Sequence, residues 1–208
     1  STVLIGGIAQ DTSQSFGVLP VQSSFIGGGF LAGQTFLPDG SGASYETVIT
    51  LDDFPIGSSL ENAEDVIAIC ATMEHSYLGD LDITLTCPNG TTIILQDQSG
   101  GSCNLGEPWA TGPVDGQSSN TTPGVGYEYC WTADATGTMV EACGQNNMAF
   151  NNGNGPATYN DSFVPAGDYI PFDPLSDLIG CPINGEWTIT VTDNLGADNG
   201  YIFSWGIQ

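Results

Sequence analysis

Lysine and arginine do not occur anywhere in this 208-residue chain. The 24 acidic residues are an ordinary number for its length, so the net charge of −24 arises by subtraction of the bases. That absence excludes cleavage by trypsin-like proteases, Lys–Asn crosslinks and Arg–carboxylate bridges. It also excludes nucleic acid as a partner, because no cationic side chain is present to release phosphate counterions. Docking on an anionic leaflet fails for the same reason. No apolar run approaches the roughly 20 residues of a membrane span, so membrane insertion is not expected. The single histidine, His75, and the lack of any C-x-x-C pair argue against an ordinary zinc site. The chain starts at Ser1 without a signal-peptide pattern, and is expected to be a processed protein or a piece of a longer one.

What is present points outside the cell. Six cysteines (Cys70, Cys87, Cys103, Cys130, Cys143 and Cys181) imply three disulfides formed in an oxidising compartment, with pairing open. Strand alternation places Cys70 opposite the Ile67, Ile69, Ala71 and Met73 face, and Cys87 on the Leu81, Ile83, Leu85 face. That disfavours a Cys70–Cys87 bond. Glycine is about twice as frequent as usual, and no segment sustains a capped helical period.

Alternation with intervening turns recurs instead. Tyr45, Thr47, Ile49 and Leu51 share one strand face, and Ile67 to Met73 and Leu81 to Leu85 flank the turn Ser76-Tyr77-Leu78-Gly79. Pro88-Asn89-Gly90 leads into another strand from Thr91 to Leu95. Trp187, Ile189 and Val191, then Tyr201, Phe203, Trp205 and Ile207, lie either side of Asp198-Asn199-Gly200. The pattern predicts an all-β, antiparallel jelly-roll-like β-sandwich with disulfide-pinned long loops and an N-terminal strand extension. Residues 1–35 are read as that extension, supplying extra strands or pairing between subunits. Residues 36–208 are read as the sandwich, with a long insertion at about 98–165.

From Phe36 to Gln208 the chain resembles the P domain, the β-sandwich that follows the catalytic domain of subtilisin-like proprotein convertases. The matching pieces are Leu37-Pro38-Asp39-Gly40, the run His75-Ser76-Tyr77-Leu78-Gly79-Asp80-Leu81, the turn Cys87-Pro88-Asn89-Gly90-Thr91, Asn184-Gly185-Glu186-Trp187, and the closing run from Asn199 to Ile207. Their flavour is similar to P-like modules of large secreted surface proteins of Bacteroidota. The resemblance implies a β-sandwich without chemistry of its own, since in convertases catalysis belongs to the neighbouring domain.

Site chemistry reads accordingly. His75 would have to serve as the base of any triad, but it occupies a structural position in the resembling motif, so the chain is not expected to be an enzyme. Clustered carboxylates without cationic partners suit Ca²⁺, which takes 6–8 oxygen ligands. Asp39, Asp80, Asp193, Asn194 and Asp198 are the candidate ligands, by motif and strand-end position. The alternative is that Asp80 and Asp193 cap turns through backbone N–H groups. Trp109 and Trp131, with Tyr127 and Tyr129, are candidates for stacking on a glycan surface, or for a satellite core beneath a long loop. Asn89-Gly90-Thr91, Asn120-Thr121-Thr122 and Asn160-Asp161-Ser162 fit the N-glycosylation triplet.

The expected function is a secreted, non-catalytic structural or adhesion module of a bacterial cell surface. It would partner with itself or with neighbouring domains of a longer chain, as a filament subunit assembling by strand addition. A carbohydrate-binding module and an accessory domain stabilising a subtilase are the alternatives. The reduced, unfolded chain should keep a single intact mass after prolonged trypsin treatment while chymotrypsin fragments it; a tryptic ladder would contradict the reading of the composition.

Overall fold

The computed structural model describes residues 21–25, 28–37, 42–109, 122–145, 147–150, 159–196 and 198–208. For 21–25, 43, 147–150 and 159–161 only the backbone is described. The strands, in chain order, are β1 (Val21–Phe25), β2 (Gly28–Leu37), β3 (Ala43–Leu51), β4 (Ile69–His75), β5 (Leu81–Thr86), β6 (Thr92–Gln96), β7 (Asn104–Leu105), β8 (Tyr127–Trp131), β9 (Asn147–Phe150), β10 (Tyr159–Val164), β11 (Gly167–Tyr169), β12 (Gly185–Asp193) and β13 (Gly200–Ile207). Among the described residues one short α-helix, α1 (Met139–Ala142), and three short 3-10 turns interrupt them.

Two sheets enclose one core. The larger has nine strands, ordered β1-β2-β13-β4-β7-β10-β9, with β8 also paired to β4 and β11 to β8. The smaller has the order β3-β12-β5-β6. Most pairs are antiparallel, but β10–β7 and β11–β8 are parallel, so the larger sheet is mixed. The alternation dictates which side chains enter the core. Ile69, Ala71 and Met73 of β4, Leu81, Ile83 and Leu85 of β5, and Trp187, Ile189 and Val191 of β12 are buried, while the residues between them are less so. Gly29 of β2 lets the sheets approach at one flank: a Cβ there would lie 2.3 Å from Ile49 Cγ2 and 2.9 Å from Leu51 Cδ2.

The turns after β4 and after β12 do not close hairpins. β4 and β5 lie in different sheets, as do β12 and β13. Both segments are corners that carry the chain from one sheet to the other. β2 pairs with β13 from Gly29 opposite Ile207 to Leu37 opposite Gly200, so this strand runs through the position where the extension was expected to end. Strands also occupy the region read as the 98–165 insertion: β7, β8, β9 and β10 extend the larger sheet, and α1 sits between β8 and β9.

All six cysteines are bridged. Cys70–Cys130 joins directly opposed residues of β4 and β8, on the outer face that alternation assigned to Cys70. Cys87–Cys181 ties the end of β5 to the segment before β12, and Cys103–Cys143 pins the C-cap of α1 beside β7. Closing loops of 60, 94 and 40 residues removes about 4 kcal/mol of unfolded-chain entropy per bridge in the loop-closure account.

Ile83 is 0% exposed at the middle of the smaller sheet, opposite Val191. Ile83→Ala is expected to cost about 2–5 kcal/mol. Its neighbour Thr84 points the other way, and Thr84→Ala should stay within about 1 kcal/mol. Calorimetry of the two variants checks the assigned face, and equal shifts in Tm would overturn it.

Candidate functional site

The two inter-sheet corners lie side by side. β5 pairs with β12 up to Leu81 opposite Asp193, and β4 pairs with β13 up to His75 opposite Gly200. The chain therefore leaves β4 and enters β5 next to the place where it leaves β12 and enters β13. Four of the five residues expected as calcium ligands belong to this pole: Asp80 precedes β5, Asp193 ends β12, and Asn194 and Asp198 follow it. Asp39 lies outside the described residues.

Each polar group at the pole holds another part of the corners. His75 is fully buried; its Nδ1 lies 3.1 Å from both the amide nitrogen and the carbonyl oxygen of Tyr77. Its Nε2 faces Asp193 Oδ2 at 3.6 Å, beyond hydrogen-bond length but within ion-pair reach. The other oxygen of Asp193, Oδ1, accepts the Leu195 N–H at 3.1 Å, the turn-capping geometry of an Asx turn. The Asn194 backbone N–H and its Nδ2 both donate to the Asp80 carbonyl, at 2.9 and 3.2 Å, and Nδ2 also donates to Asp82 Oδ2 at 2.8 Å. Ser76 Oγ donates to Asp198 Oδ1 at 3.1 Å. Asp80 is buried beneath this network. Gly200 is required by crowding, since a Cβ there would lie 2.1 Å from the Glu74 carbonyl and 2.8 Å from the His75 ring.

Ser76, Asp82 and Gly200 were not singled out as site residues from the sequence, although all three sit inside the motifs that were. Their role is legible only once β5 and β12 are paired, because the bonds from Ser76 to Asp198 and from Asn194 to Asp82 each span more than 100 residues. Among the described residues, no three His, Cys, Asp or Glu side chains converge closely enough to hold a metal ion. A cation at this pole would need backbone carbonyls to complete its shell. The next residue after His75 spends its hydroxyl on Asp198, so the pole is arranged to hold two corners together.

The aromatic residues of β8 occupy a second region. Tyr129 and Trp131 are fully buried on the core face, so Trp131 belongs to the core and its ring is not offered to a surface glycan. Trp109 is half-buried, beside the Glu107–Val125 bridge. The Tyr129 hydroxyl donates to the Val164 carbonyl at 3.0 Å and accepts the Gly106 N–H at 2.6 Å. That one phenol ties β8, the end of β10 and the residue after β7, and burial drives its ionisation up. Tyr127 donates to Glu107 Oε1 at 2.8 Å; burial, reinforced by that carboxylate, pushes its pKa up to about 12. Of the three glycosylation triplets, Asn89 is an exposed turn residue whose Oδ1 accepts the Thr91 N–H at 3.0 Å. Asn120 lies outside the described residues, and only the backbone of Asn160 is described, within β10.

Comparison with known proteins bears on the same pole. The family model of the proprotein convertase P-domain matches residues 64–122, a span that includes β4, β5, β6, β7 and the corner between β4 and β5. P domains are non-catalytic accessory domains of the convertases. The closing runs of β12 and β13 lie beyond the matched span, and they join it through their pairing with β5 and β4. No curated protein matches the chain.

Removing the Asp193 carboxylate strands the Leu195 N–H and takes away the partner facing His75. Asp193→Ala is expected to destabilise by about 1–3 kcal/mol, lowering Tm by several degrees. Asp193→Asn keeps an acceptor oxygen for Leu195 and should lose less. Thermal melts at neutral pH that rank the two variants the other way would refute a capping role.

Proposed function

We propose that this chain is a non-catalytic, extracellular structural module of a bacterial cell-surface protein. It joins copies of itself, or neighbouring domains of a longer chain, by adding strands to the free edges of its sandwich. The observation that carries this reading is the sheet order, in which, among the described residues, β1 ends the larger sheet and β3 ends the smaller one. Unpaired edges are templates for another strand. The three disulfides fit folding in an oxidising compartment. The P-domain match supports an accessory role. A surface without lysine or arginine suits life among trypsin-like proteases.

Calcium enters the proposal as counter-charge. Two chains that each carry −24 repel as they approach, and a divalent ion shared between carboxylates lowers that cost.

The residues before β1 are the natural donor to a neighbour, since they lead directly into an edge strand. Deleting residues 1–20 leaves β2, which the sandwich needs for its own pairing with β13. Light scattering and negative-stain microscopy should show assemblies of the complete chain that weaken on chelation, and a folded, less assembled form of the deleted chain. A complete chain that stays monomeric with and without calcium, and binds no neighbouring domain of its parent, would refute the module reading.

A further inference from the structure

The three disulfides differ in how deeply they are set into the sandwich. Cys87, Cys103 and Cys181 are part of the hydrophobic core cluster, and Cys143 packs against it; Cys70 and Cys130 are outside it. Their bridge crosses the outer face of the larger sheet, with Cys130 buried and Cys70 half-buried. A disulfide opens by attack of a thiolate on one sulfur, from the side away from the sulfur that leaves. Access therefore governs which bridge reacts and at which end.

The register decides which of the two sulfurs is reached. Phe30 of β2, Gly206 of β13, Cys70 of β4, Cys130 of β8 and Asp168 of β11 form one row of directly paired residues. Neighbouring strands lie about 4.8 Å apart, so side chains in such a row stand shoulder to shoulder. Beyond Cys130 the next side chain is the exposed carboxylate of Asp168. Beyond Cys70 the next residue is Gly206, which has no side chain. The gap it leaves between Phe30 and Cys70 is a cavity of about 180 Å³, lined also by Ala68 and Glu128. The open approach thus runs over Gly206 to Cys70, with Cys130 as the leaving sulfur.

We propose that the Cys70–Cys130 bridge is a site of thiol–disulfide exchange, at which a small aliphatic thiol without net negative charge becomes bound to Cys70. The proposal goes beyond the module reading and does not depend on it. The incoming thiolate forms an S–S bond to Cys70 Sγ as the Cys70–Cys130 bond breaks. The electron pair of the broken bond stays on Cys130 as a thiolate, which takes a proton from water. One disulfide replaces another, so no external oxidant or reductant is needed. Carboxylates select the thiol: Glu128 lines the cavity, Asp168 stands beyond Cys130, and the chain has no lysine or arginine to offset them. An anionic thiol is repelled, whereas one that carries an ammonium group is not. The sheet survives the step, because β4 and β8 stay paired from Ile69 opposite Trp131 to Met73 opposite Tyr127.

The test treats the oxidised 208-residue chain with cysteamine under native conditions, quenches with iodoacetamide and reads chymotryptic peptides by mass. Cysteamine is expected on Cys70 and the alkyl group on Cys130, at least about tenfold ahead of reaction at Cys87–Cys181 or Cys103–Cys143. Glu128→Gln should speed the reaction with mercaptoacetate about twofold and leave that with cysteamine unchanged. Gly206→Val fills the approach and should slow the cysteamine adduct about tenfold, while its rate in denaturant matches the parent's. A Cβ at position 206 comes 3.0 Å from the Gly29 carbonyl, so Ala68→Leu, which fills the same cavity, decides if that variant does not fold. An adduct on Cys130, earlier opening of another bridge, no adduct, or undiminished rates in the folded filled variants overturns the site. A Glu128→Gln variant that alters neither thiol's rate, or both equally, overturns the selection by charge.

Discussion

Because the chain has no lysine or arginine, each carboxylate that enters the structure has to be held by amides, hydroxyls or the one imidazole. The bonds around the acids show how this is met. Asp193 is capped by the Leu195 N–H and faced by His75, Glu74 takes the Gly124 N–H, Asp173 takes the Ile94 N–H, and Asp65 takes the N–H groups of Glu61 and Asn62. Those last two amides, on an exposed carboxylate, draw its pKa below the usual aspartate range. Glu141 is lowered in the same way by the Thr138 N–H at the start of α1. Acids therefore sit where backbone amides converge, at turns, caps and corners. The acidic pole is one outcome of this constraint, and the Asp173 carboxylate bound to β6 is another.

The inter-sheet corners carry the greatest consequence. β4 and β13 pair in the larger sheet and β5 and β12 pair in the smaller one, so the chain crosses between sheets twice at one end of the sandwich. A corner exposes backbone groups that neither sheet can pair. Asn194 answers this for the Asp80 carbonyl and Asp193 for the Leu195 amide, while His75 engages Tyr77. The Gly-Asp-Leu and Asp-Asn runs that stand out in the sequence are, in the fold, the fittings of those crossings.

Much of the fold was legible beforehand, for a physical reason. Alternation reports which side chains are buried, and β5 and β12 follow it, as does β4 from Ile69 to Met73; Ile67, expected on the same face, lies before β4 and is exposed, and Glu74 is buried along with Met73 and His75. It does not report which strand lies alongside. The turns after His75 and Asp193 look local, yet they separate strands of different sheets, and only long-range pairing distinguishes a corner from a hairpin. The region 98–165 was opaque because β7 and β9 have two and four residues, too short for a period to register; β7 is flanked by Cys103, bridged to Cys143, and by Gly106, bonded to Tyr129, while β9 pairs with β10. At the site, four expected calcium ligands do gather at one pole. Of the two residues that the turn-capping alternative names, Asp80 and Asp193, the latter accepts the Leu195 N–H; Asn194 instead bridges to the Asp80 carbonyl and the Asp82 carboxylate. For Trp131 the sequence left a glycan platform and a core role open, because aromatic clustering marks both; its burial in β8 fits the core role.

The disulfides also determine how the sandwich would respond to tension. Gly29 lies opposite Ile207, so a pull entering at the start of β2 and leaving at the end of β13 acts on the same end of that seam. The seam opens one hydrogen-bonded pair at a time, like a zip, where a sheared pair would break all its bonds together. Beyond it, the Cys87–Cys181 bridge short-circuits the chain between two cysteines 94 positions apart. The force path crosses that bond directly. The backbone from Pro88 to Gly180 therefore lies outside the loaded path for as long as that bond is intact.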